Sequence, residues 1–530
     1  MAAQGGNAIA LDTSKAYRLT NDTLGSGRSL DGTARLTTTS SDDGLGQRWR
    51  LQPRDGGTYR LTTEAFGPCY AIDVINDDLH TYTPVLVPAA DSTGQMWYVE
   101  PQSGGAFRLR SKYPDHEQRW LGVDEHGALV TRPGTAQRWR LTPLAPAPPA
   151  PAGGRIPQLC PGGPADQTEG HADYTLHLVP RGVLRAVVIF ADFDDAPGDM
   201  DPAEIGARVH GSGAATRLFH EQSHGALELE VTVRSDLGWR RLPNPSTAYK
   251  LRYGGQQRQF ITDAAARIGA DELRFDHYDL VLAVAANTKN VGLSPAYHHV
   301  PGDGAPSASG EILHGVTFGH DLYDSRQGLH RDHRVLVHEL GHVMGLPDLY
   351  PYKPGDRRGT CRPATPGENL VGSWDLMSDV DHGEHFLGWH RHKNGWLPPA
   401  RSTYIDRATT RRRVTLHPIS GPDGLSMVVV PCDHIRRPRK VLVVEPAEPL
   451  QDHPQAQGVL IYSVDSGIDG GHSPVAVHPR EGQGLDDAPH RVRDVADIQD
   501  DKGAHLRVTV LGRTGPAWDV EISFTPAPQD

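Results

Sequence analysis

Alternating apolar and polar positions recur three times in the first quarter of the chain. Each time, a short strand pattern such as Tyr17-Arg18-Leu19-Thr20 precedes a Gln-x-Trp motif, at residues 47–49, 95–97 and 137–139. Motifs that start at 47, 95 and 137 are 48 and 42 residues apart. One such unit cannot bury its own apolar face, so three are expected to close around a threefold axis. The tryptophans should fill the shared core, and the glutamines should bond to neighbouring backbone.

The pattern changes after residue 143. Residues 143–151 are proline-rich and predict an extended linker, assigned to residues 144–165. Apolar strand patterns then alternate with helix patterns, which predicts an α/β domain at residues 166–400. The strands are predicted at 183–191, 227–233 and 279–286, and the helices at 203–221, 256–269 and 333–344. Residues 312–318 are predicted as the edge strand, onto which an extended peptide would add.

Beyond residue 400, short β-rich runs dominate, at 413–419, 426–431, 440–445 and 518–524. They predict a sandwich-like β domain at 401–530, with a role in packing or substrate positioning. The predicted fold is therefore multidomain. It has a three-repeat β domain at 1–143, a central α/β domain and a C-terminal β-rich domain.

Composition narrows the functional classes. A length of 530 residues suggests about three domains of ordinary size. The net charge of −12 does not favour a nucleic-acid partner. No apolar run is long enough to span a bilayer, so no transmembrane segment is predicted. The 58 glycines and 43 prolines fit the many turns of β-rich domains.

The four cysteines are scattered, at Cys69, Cys160, Cys361 and Cys432. They predict neither a zinc site nor a required disulfide. Cys160 precedes the α/β domain and is interpreted as an ordinary linker thiol. The less favoured alternative is a thiolate that blocks a metal as a latency switch.

An acidic cluster follows the first α/β strand. Its aspartates are Asp192, Asp194, Asp195, Asp199 and Asp201. Carboxylates suit Ca²⁺, but this spacing does not match a calcium loop and favours a solvated acidic loop.

The last of these helix patterns contains His338-Glu339-Leu340-Gly341-His342. Residues four apart lie on one side of a helix, so both imidazoles can hold one Zn²⁺. Glu339, beside the first ligand, would accept a proton from a zinc-activated water. The motif therefore predicts a zinc hydrolase centre with Glu339 as its general base.

The third ligand is predicted to be Asp348. Gly345 and Pro347 end the helix and turn the chain back, which brings Asp348 toward the histidines. Glu368 or Glu384 are the alternatives, as in sites where a glutamate arrives from a later helix.

Residues 374–377, Trp-Asp-Leu-Met, predict a methionine turn that floors the site. Met377 is expected to pack beneath the metal without bonding it. Tyr350, His382 and His385 are three candidates for stabilising the oxyanion, and the sequence does not choose among them.

The region from residue 181 to 465 resembles the immune inhibitor A family of secreted bacterial metallopeptidases. Besides the zinc motif, the likeness is carried by residues 184–195, 219–225, 371–377, 388–397, 441–445 and 458–465. The resemblance implies endopeptidase activity on proteins, zinc at His338, His342 and Asp348, and export. No counterpart of the family's long propeptide is evident, so the activation route stays open.

The three repeats, at residues 17–141, resemble ricin-type β-trefoil lectins, whose signature is the repeated Gln-x-Trp. This resemblance implies sugar binding through an aspartate in each unit, at Asp31, Asp73 and Asp124. Of the three aspartates, Asp73 lies in the sequence that is most similar to the lectin repeat. The alternative is that these aspartates cap turns, since function lies in sites rather than in folds.

These patterns together predict a zinc-dependent endopeptidase that the trefoil directs to glycans or glycoproteins. The alternative is a carbohydrate-binding protein with a catalytically idle α/β domain. Residues 1–6 lack the charged and apolar regions of a signal peptide, so a secreted location follows from the resemblance alone.

Overall fold

The chain divides into two compact units. A computed structural model describes residues 11–32, 36–42, 44–65, 69–75, 82–113, 117–125, 127–134, 136–145, 156, 159, 167–174, 176–249, 251, 254–323, 332–352, 369–433, 438–500 and 503–528. The first unit is Met1–Ala150 with Asp173–Thr175, and the second is Pro151–Ala172 with Leu176–Asp530. The predicted α/β and C-terminal domains both lie in the second unit, so the boundary between them stays a prediction.

The first unit contains twelve strands among its described residues, in three sets of four. The first set is β1 (Ala16–Asn21), β2 (Arg28–Asp31), β3 (Thr37–Ser40) and β4 (Trp49–Arg54). The second set is β5 (Thr58–Thr63), β6 (Tyr70–Ile75), β7 (Thr83–Pro88) and β8 (Trp97–Pro101). The third set is β9 (Phe107–Ser111), β10 (Arg119–Val123), β11 (Leu129–Pro133) and β12 (Trp139–Pro143).

Six of these strands close into a barrel. The antiparallel pairs β1–β4, β4–β5, β5–β8, β8–β9, β9–β12 and β12–β1 form a ring without an edge. The other strands form three hairpins, β2–β3, β6–β7 and β10–β11. A six-stranded barrel with three such hairpins is a β-trefoil, as the repeats predicted.

The tryptophan of each repeat is fully buried, and its indole N–H is satisfied. Trp49 donates to Leu30 O at 2.9 Å, Trp97 to Ile72 O at 3.0 Å and Trp139 to Leu121 O at 2.9 Å. Each bond joins a barrel strand to the hairpin of the same repeat, because a buried indole needs an acceptor. The predicted role of the tryptophans is confirmed.

The glutamines also bond to backbone, as predicted. Gln95 donates to Pro88 O at 2.9 Å and accepts from Ala90 N at 2.8 Å. Gln47 makes the equivalent pair of bonds after β3, to Ser40 O and from Asp42 N. Gln137 bonds instead to both main-chain groups of Val123, so the third repeat differs in its loop.

The second unit begins with a six-stranded sheet in the order β14-β13-β16-β20-β17, with β15 beside β13. The elements of this part are β13 (Gly182–Asp192), α1 (Pro202–Val209), α2 (Ala214–Gln222), β14 (Leu227–Val233), β15 (Trp239–Arg241), α3 (Gly254–Ala265), β16 (Leu280–Ala285), β17 (Ala296–His298), β18 (Ala305–Ser307), β19 (Gly310–Ile312), β20 (His314–Phe318) and α4 (Asp332–Val343). The three predicted strands are confirmed to within one residue. All pairs in the sheet are parallel except β17–β20.

Helices cover both faces of this sheet. Alternate residues of β13 point to opposite sides: Val188 and Phe190 pack with α1, α2 and α4, whereas Val187 and Ile189 pack with α3. A parallel sheet needs this double cover because both of its faces are apolar. The helix that carries the zinc motif is therefore anchored in one of the two cores.

Two expectations for this part are wrong. The helix predicted at 203–221 is two helices, because Gly211 and Gly213 have φ angles of 57° and 90°. A Cβ on Gly211 would lie 2.7 Å from His333 Cβ, so this turn also needs a glycine for space. The strand predicted as the edge is internal: β20 is covered by β17, a three-residue antiparallel strand too short to show a pattern.

Among its described residues, the C-terminal part has two further sheets. After α5 (Gly388–Lys393) come β21 (Ser402–Tyr404), β22 (Thr409–Leu416), β23 (Met427–Pro431), β24 (Lys440–Pro446), β25 (Val459–Asp465), β26 (Val475–Val477), β27 (Val495–Gln499), β28 (His505–Thr514) and β29 (Ala517–Thr525). The sheet orders are β21-β23-β24-β25-β26 and β22-β29-β28-β27. The four β-rich runs are confirmed as β22, β23, β24 and β29, with β22 starting and ending earlier than predicted.

The first of these sheets is a middle layer. Val441 and Val443 of β24 face the core that contains α4, whereas Leu442 and Val444 face the second sheet. All residues of β24 are buried for this reason. The C-terminal part is thus packed directly onto the core of the α/β part.

Cys69 is disulfide-bonded, although the sequence required no disulfide. Cys432 is a buried thiol. Cys160, for which an ordinary linker thiol is favoured over a latency switch, and Cys361 lie outside the described residues. Where the chain is described, no helix has the length and apolar character needed to cross a bilayer.

Candidate functional site

Helix α4 presents His338 and His342 on one side, with ring centroids 4.8 Å apart. The Nδ1 atom of His338 lies 2.8 Å from Leu376 O, and that of His342 lies 2.8 Å from Leu346 O. A carbonyl only accepts, so both rings carry their proton on Nδ1. Both Nε2 atoms therefore turn a lone pair toward the same point, which suits metal ligation.

A sharp turn brings Asp348 to these nitrogen atoms. Gly345 has φ 89°, and Leu346 N donates to Gly341 O at 2.9 Å, which closes the helix end. The carboxylate oxygen Oδ1 of Asp348 lies 3.2 Å from His338 Nε2 and 3.3 Å from His342 Nε2. Asp348 therefore stands where the sequence placed the third ligand.

The three ligand-type atoms form a triangle of a size that suits zinc. The two Nε2 atoms are 3.2 Å apart, and their distances to Asp348 Oδ1 are 3.2 and 3.3 Å. Zinc bonds of about 2.0–2.1 Å give a tetrahedron with edges of about 3.3 Å. All three residues are buried, and within the described ranges they are the one metal-ligand group of this kind.

Electrostatics also favour a cation between these atoms. Two lone pairs and a carboxylate oxygen face one another at short range, which is repulsive unless a cation or proton lies between them. Burial alone would raise the pKa of Asp348, but without a metal a protonated His342 or His338 supplies the positive charge and lowers this pKa far below its ordinary value. The donor set fits Zn²⁺, for which imidazole and carboxylate are usual ligands.

The alternative ligands are engaged elsewhere or fall outside the described part. Glu384 Oε1 accepts from Gln451 N at 3.1 Å and lies 3.9 Å from Arg334. Glu368 is not among the described residues. The described geometry therefore favours Asp348 over Glu384.

Met377 is fully buried and packs against the zinc-motif helix at Gly341. A Cβ added to Gly341, between the two ligands, would be 2.5 Å from Met377 Sδ. Position 341 therefore favours a glycine, because the Met377 sulfur lies where a Cβ would be. The neighbouring Leu376 carbonyl is the one that orients His338.

Glu339 lies between the two ligands in sequence and points toward the sheet edge. Its Oε2 accepts a hydrogen bond from Ala296 N of β17 at 2.7 Å. Burial raises the pKa of the Glu339 carboxyl to about 8 in the absence of metal, against the lowering effect of His338. The sequence held no signal for Ala296, because the contact depends on how β17 folds back.

The three candidates for stabilising the oxyanion have different surroundings in the structure. Tyr350 stacks on His338, with ring centroids 6.4 Å apart and planes 18° apart. Burial and the carboxylate of Asp348 raise the pKa of Tyr350. His385 is buried, its carbonyl accepts from Leu376 N at 3.0 Å, and burial and Arg391 lower its pKa to about 4. His382 is 42% exposed and pairs with Asp379.

Tyr352 is a neighbour of the site that the sequence reasoning missed. Its hydroxyl donates to Asp348 Oδ2 at 2.5 Å, which leaves Oδ1 directed at the histidines. An aromatic hydroxyl four residues after a predicted carboxylate ligand was the available signal. This bond orients the carboxylate.

The acidic cluster after β13 is not gathered into a ligand group. Asp192 and Asp194 both pair with Arg241, at 2.8 and 2.9 Å. Asp195 accepts from the backbone and hydroxyl of Ser246, and Asp201 caps α1. These contacts engage four of the five aspartates, Asp192, Asp194, Asp195 and Asp201, in bonds within the protein.

The trefoil aspartates all have internal partners. Asp31 is buried and accepts from Thr39 Oγ1 at 2.8 Å. Asp73 Oδ2 accepts from Ser92 Oγ at 3.0 Å, and Asp124 Oδ1 accepts from Ala128 N at 2.9 Å. Asp124 thus caps its own turn, as the alternative interpretation expected. Asp73 is half-buried, with a single side-chain donor at Oδ2 among the described contacts.

No protein-family model matches the chain. No curated protein matches it either. Similar solved structures cover the N-terminal quarter. A designed threefold-symmetric protein, ThreeFoil, is 24% identical with a TM-score of 0.21, covering 25% of this chain and 100% of its own.

Two lectin structures give similar values. The β-trefoil lectin of the Vibrio vulnificus hemolysin/cytolysin, with N-acetyl-D-lactosamine bound, is 15% identical with a TM-score of 0.21, covering 25% of this chain and 98% of its own. The ricin B-like lectin of Macrolepiota procera, in complex with lactose, is 14% identical with a TM-score of 0.21, covering 25% and 99%. At scores this low, the β-trefoil assignment rests on the closed barrel and its three hairpins.

Proposed function

We propose that the second unit is a zinc-dependent endopeptidase with a zincin-like α/β fold and a C-terminal β-sandwich. The observation that carries this proposal is the triangle of His338 Nε2, His342 Nε2 and Asp348 Oδ1, whose edges of 3.2–3.3 Å suit a tetrahedral ion. A carboxylate, Glu339, stands beside the first ligand, as peptide hydrolysis by a metal-activated water requires. The resemblance to the immune inhibitor A family points to the same activity.

The proposed mechanism is direct hydrolysis without a covalent enzyme intermediate. Bound Zn²⁺ would lower the pKa of a water to about 7 and polarise the scissile carbonyl. Glu339 accepts the proton of the attacking water and delivers it to the leaving amine. The bond from Ala296 N at 2.7 Å fixes one oxygen of this carboxylate. Tyr350, stacked over His338, is our candidate donor to the developing oxyanion.

Among the described residues β17 is the last strand of its sheet, and its outer edge is the proposed place for the substrate backbone. Ala296 N points to Glu339 and not to β20, so this outer edge faces the general base. An extended peptide that adds to this edge would pass beside Glu339. This explains how a short edge strand would align a scissile bond without side-chain recognition.

Metal analysis and a cleavage assay test the proposal. The purified protein should contain about one zinc ion per chain, and a chelator should abolish casein cleavage. Glu339→Ala should retain the metal and lose cleavage, whereas His338→Ala should lose both. Glu204→Ala, which removes an exposed carboxylate on α1, is the matched control and should behave like the wild type. A Glu339→Ala protein that still cleaves casein would rule out the assigned role.

We also propose that the trefoil is a ricin-type lectin and binds carbohydrate through its second repeat. Support comes from the closed trefoil and from Asp73, which is half-buried, whereas Asp31 is buried. The full-length Glu339→Ala protein on a glycan array tests this without proteolysis, and Asp73→Asn should abolish the signal. If the wild-type chain binds glycans but neither binds zinc nor cleaves protein, it is a carbohydrate-binding protein with an idle α/β domain.

A further inference from the structure

A buried ionic network lies beneath the candidate zinc site. His390 of α5 lies between two carboxylates, with Nδ1 2.8 Å from Asp375 Oδ2 and Nε2 3.0 Å from Glu169 Oε1. The three side chains are at most 1% exposed. Burial alone would lower the pKa of His390, but Asp375 and Glu169 raise it to about 10. The ring is therefore a cation that bridges two anions.

Asp375 shapes the turn that orients one ligand. It accepts from Met377 N at 2.7 Å and from Leu387 N at 2.8 Å. Leu376 lies between Asp375 and Met377, and its carbonyl oxygen accepts from His338 Nδ1 at 2.8 Å. The direction of His338 Nε2 thus depends on a turn that Asp375 holds.

Glu169 belongs to the short segment in which the chain enters the second unit. Its Oε2 accepts from Trp389 Nε1 at 3.0 Å, so both of its oxygens bond to α5. Lys393, one turn further along α5, donates to Thr168 O and, at 2.8 Å, to Gly345 O. Gly345 is the left-handed residue that starts the turn to Asp348. Helix α5 therefore fastens the entry segment to both turns of the metal site.

We propose that Glu169 is a positioning residue for the metal centre. It acts through His390 and Asp375, which hold the turn that keeps His338 in the ring orientation and tautomer suited to a metal. This inference rests on the proposed zinc site, and it assigns a role to a residue far from the zinc motif in sequence. Hydrogen-bond partners that orient a metal ligand change metal affinity when they are removed.

Zinc affinity tests this proposal, measured by competition with a chromophoric chelator on the full chain. Glu169→Gln keeps the shape of the side chain but removes the charge that pairs with His390. We expect zinc to bind about 10- to 100-fold more weakly to this variant. The absorption bands of the cobalt-substituted protein should also shift, because the His338 ring would change its angle to the metal.

A matched control separates positioning from general stability. Glu445 is another buried carboxylate that bonds to α5, accepting from Gly388 N at 3.1 Å. Its bonds within the described part of the chain are to Gly388 and Tyr462, outside the methionine turn. Glu445→Gln should destabilise the fold while zinc affinity and the cobalt spectrum stay at the wild-type values. Equal loss of zinc affinity in both variants would show that Glu169 only stabilises the fold, and it would overturn the proposal.

Glu169→Asp is measured as well, since it keeps the charge but withdraws it from His390 by one methylene. It serves in place of Glu169→Gln should that variant not fold, and its zinc affinity should also fall. Unchanged zinc affinity and cobalt spectrum in either folded variant would overturn the inference. If the wild-type protein itself binds no zinc, the proposed function fails first, so the two failures are distinct.

Discussion

At the scale of single residues, two backbone carbonyls decide how the histidines present their nitrogen atoms. Leu376 O and Leu346 O each accept from an Nδ1 atom, which leaves both Nε2 atoms directed at Asp348. The zinc motif predicted the residue types and the helix. It did not predict these acceptors, because a carbonyl is present at every residue and only the fold selects one.

Tyr350 is the residue whose role the structure makes testable. Tyr350→Phe removes one donor to the proposed oxyanion and keeps the ring that stacks on His338. We expect kcat for peptide hydrolysis to fall by about 100-fold, with KM little changed and a smaller effect on zinc binding, because the Tyr350 hydroxyl also interacts with Asp348. Tyr352→Phe is the comparison, because it acts on Asp348 and should weaken zinc binding instead. Normal kcat in Tyr350→Phe would exclude this donor.

His171 predicts a loss of stability in acid. Burial lowers its pKa from 6.5 to about 3, so it stays neutral in the folded protein and takes up a proton when the chain unfolds. Above pH 6.5 this histidine does not reduce the free energy of unfolding. As the pH falls from 6.5 toward 3, the free energy of unfolding decreases by about 1.4 kcal/mol per pH unit.

Urea unfolding at several pH values measures this effect. The free energy of unfolding should vary less with pH in His171→Gln than in the wild type, over the range from 6.5 to 3. His505→Gln, which removes a histidine of β28 that is 42% exposed, is the control. Parallel pH profiles for His171→Gln and the wild type would contradict the prediction.

At the scale of elements, the site consists of a helix, the turn that ends it and a second turn that floors it. Leu349 N donates to Met377 O at 3.0 Å, so the two turns are bonded to each other. The sequence predicted α4 and both turns, since Gly345, Pro347 and Trp374–Met377 are local signals. It did not predict that α5 ties the turns together, because those bonds join residues far apart in the chain.

Gly345→Ala tests the turn. The φ angle of 89° disfavours an L side chain, and the new Cβ would lie 2.5 Å from Ala172 Cβ. We expect a loss of at least about 1–2 kcal/mol of stability and weaker zinc binding, because Asp348 would be displaced. Gly515→Ala, at a φ of 60° with open space around it, should cost stability without changing zinc affinity. Wild-type zinc affinity in Gly345→Ala would show that the turn tolerates a side chain.

At the scale of the whole molecule, the two compact units predict two separable unfolding transitions. A chelator should lower the free energy of unfolding of the second unit only. The expected decrease is about 2.7 kcal/mol if zinc was at 100 times its Kd. Trp97→Phe should lower the free energy of unfolding of the first unit only, by about 1–3 kcal/mol, because it leaves Ile72 O without its donor. Calorimetry measures both. A chelator that moves both transitions equally would contradict this independence.

The sequence by itself determined the features that depend on local order along the chain. These are the three repeats with their buried tryptophans, the three apolar strands of the α/β part, the zinc-motif helix and the turn toward Asp348. Periodicity and turn residues act over a few positions, so they can be read without the fold. The split between α1 and α2 was also local, in Gly211 and Gly213, and the helix pattern concealed it.

Only the tertiary structure decided which distant groups meet. It placed β17 at the sheet edge, Ala296 against Glu339, and Glu169 beside His390. It also showed that Asp31 is buried and that β24 is covered on both faces. Such contacts come from packing between elements, where burial selects a few pairs from many that the sequence permits.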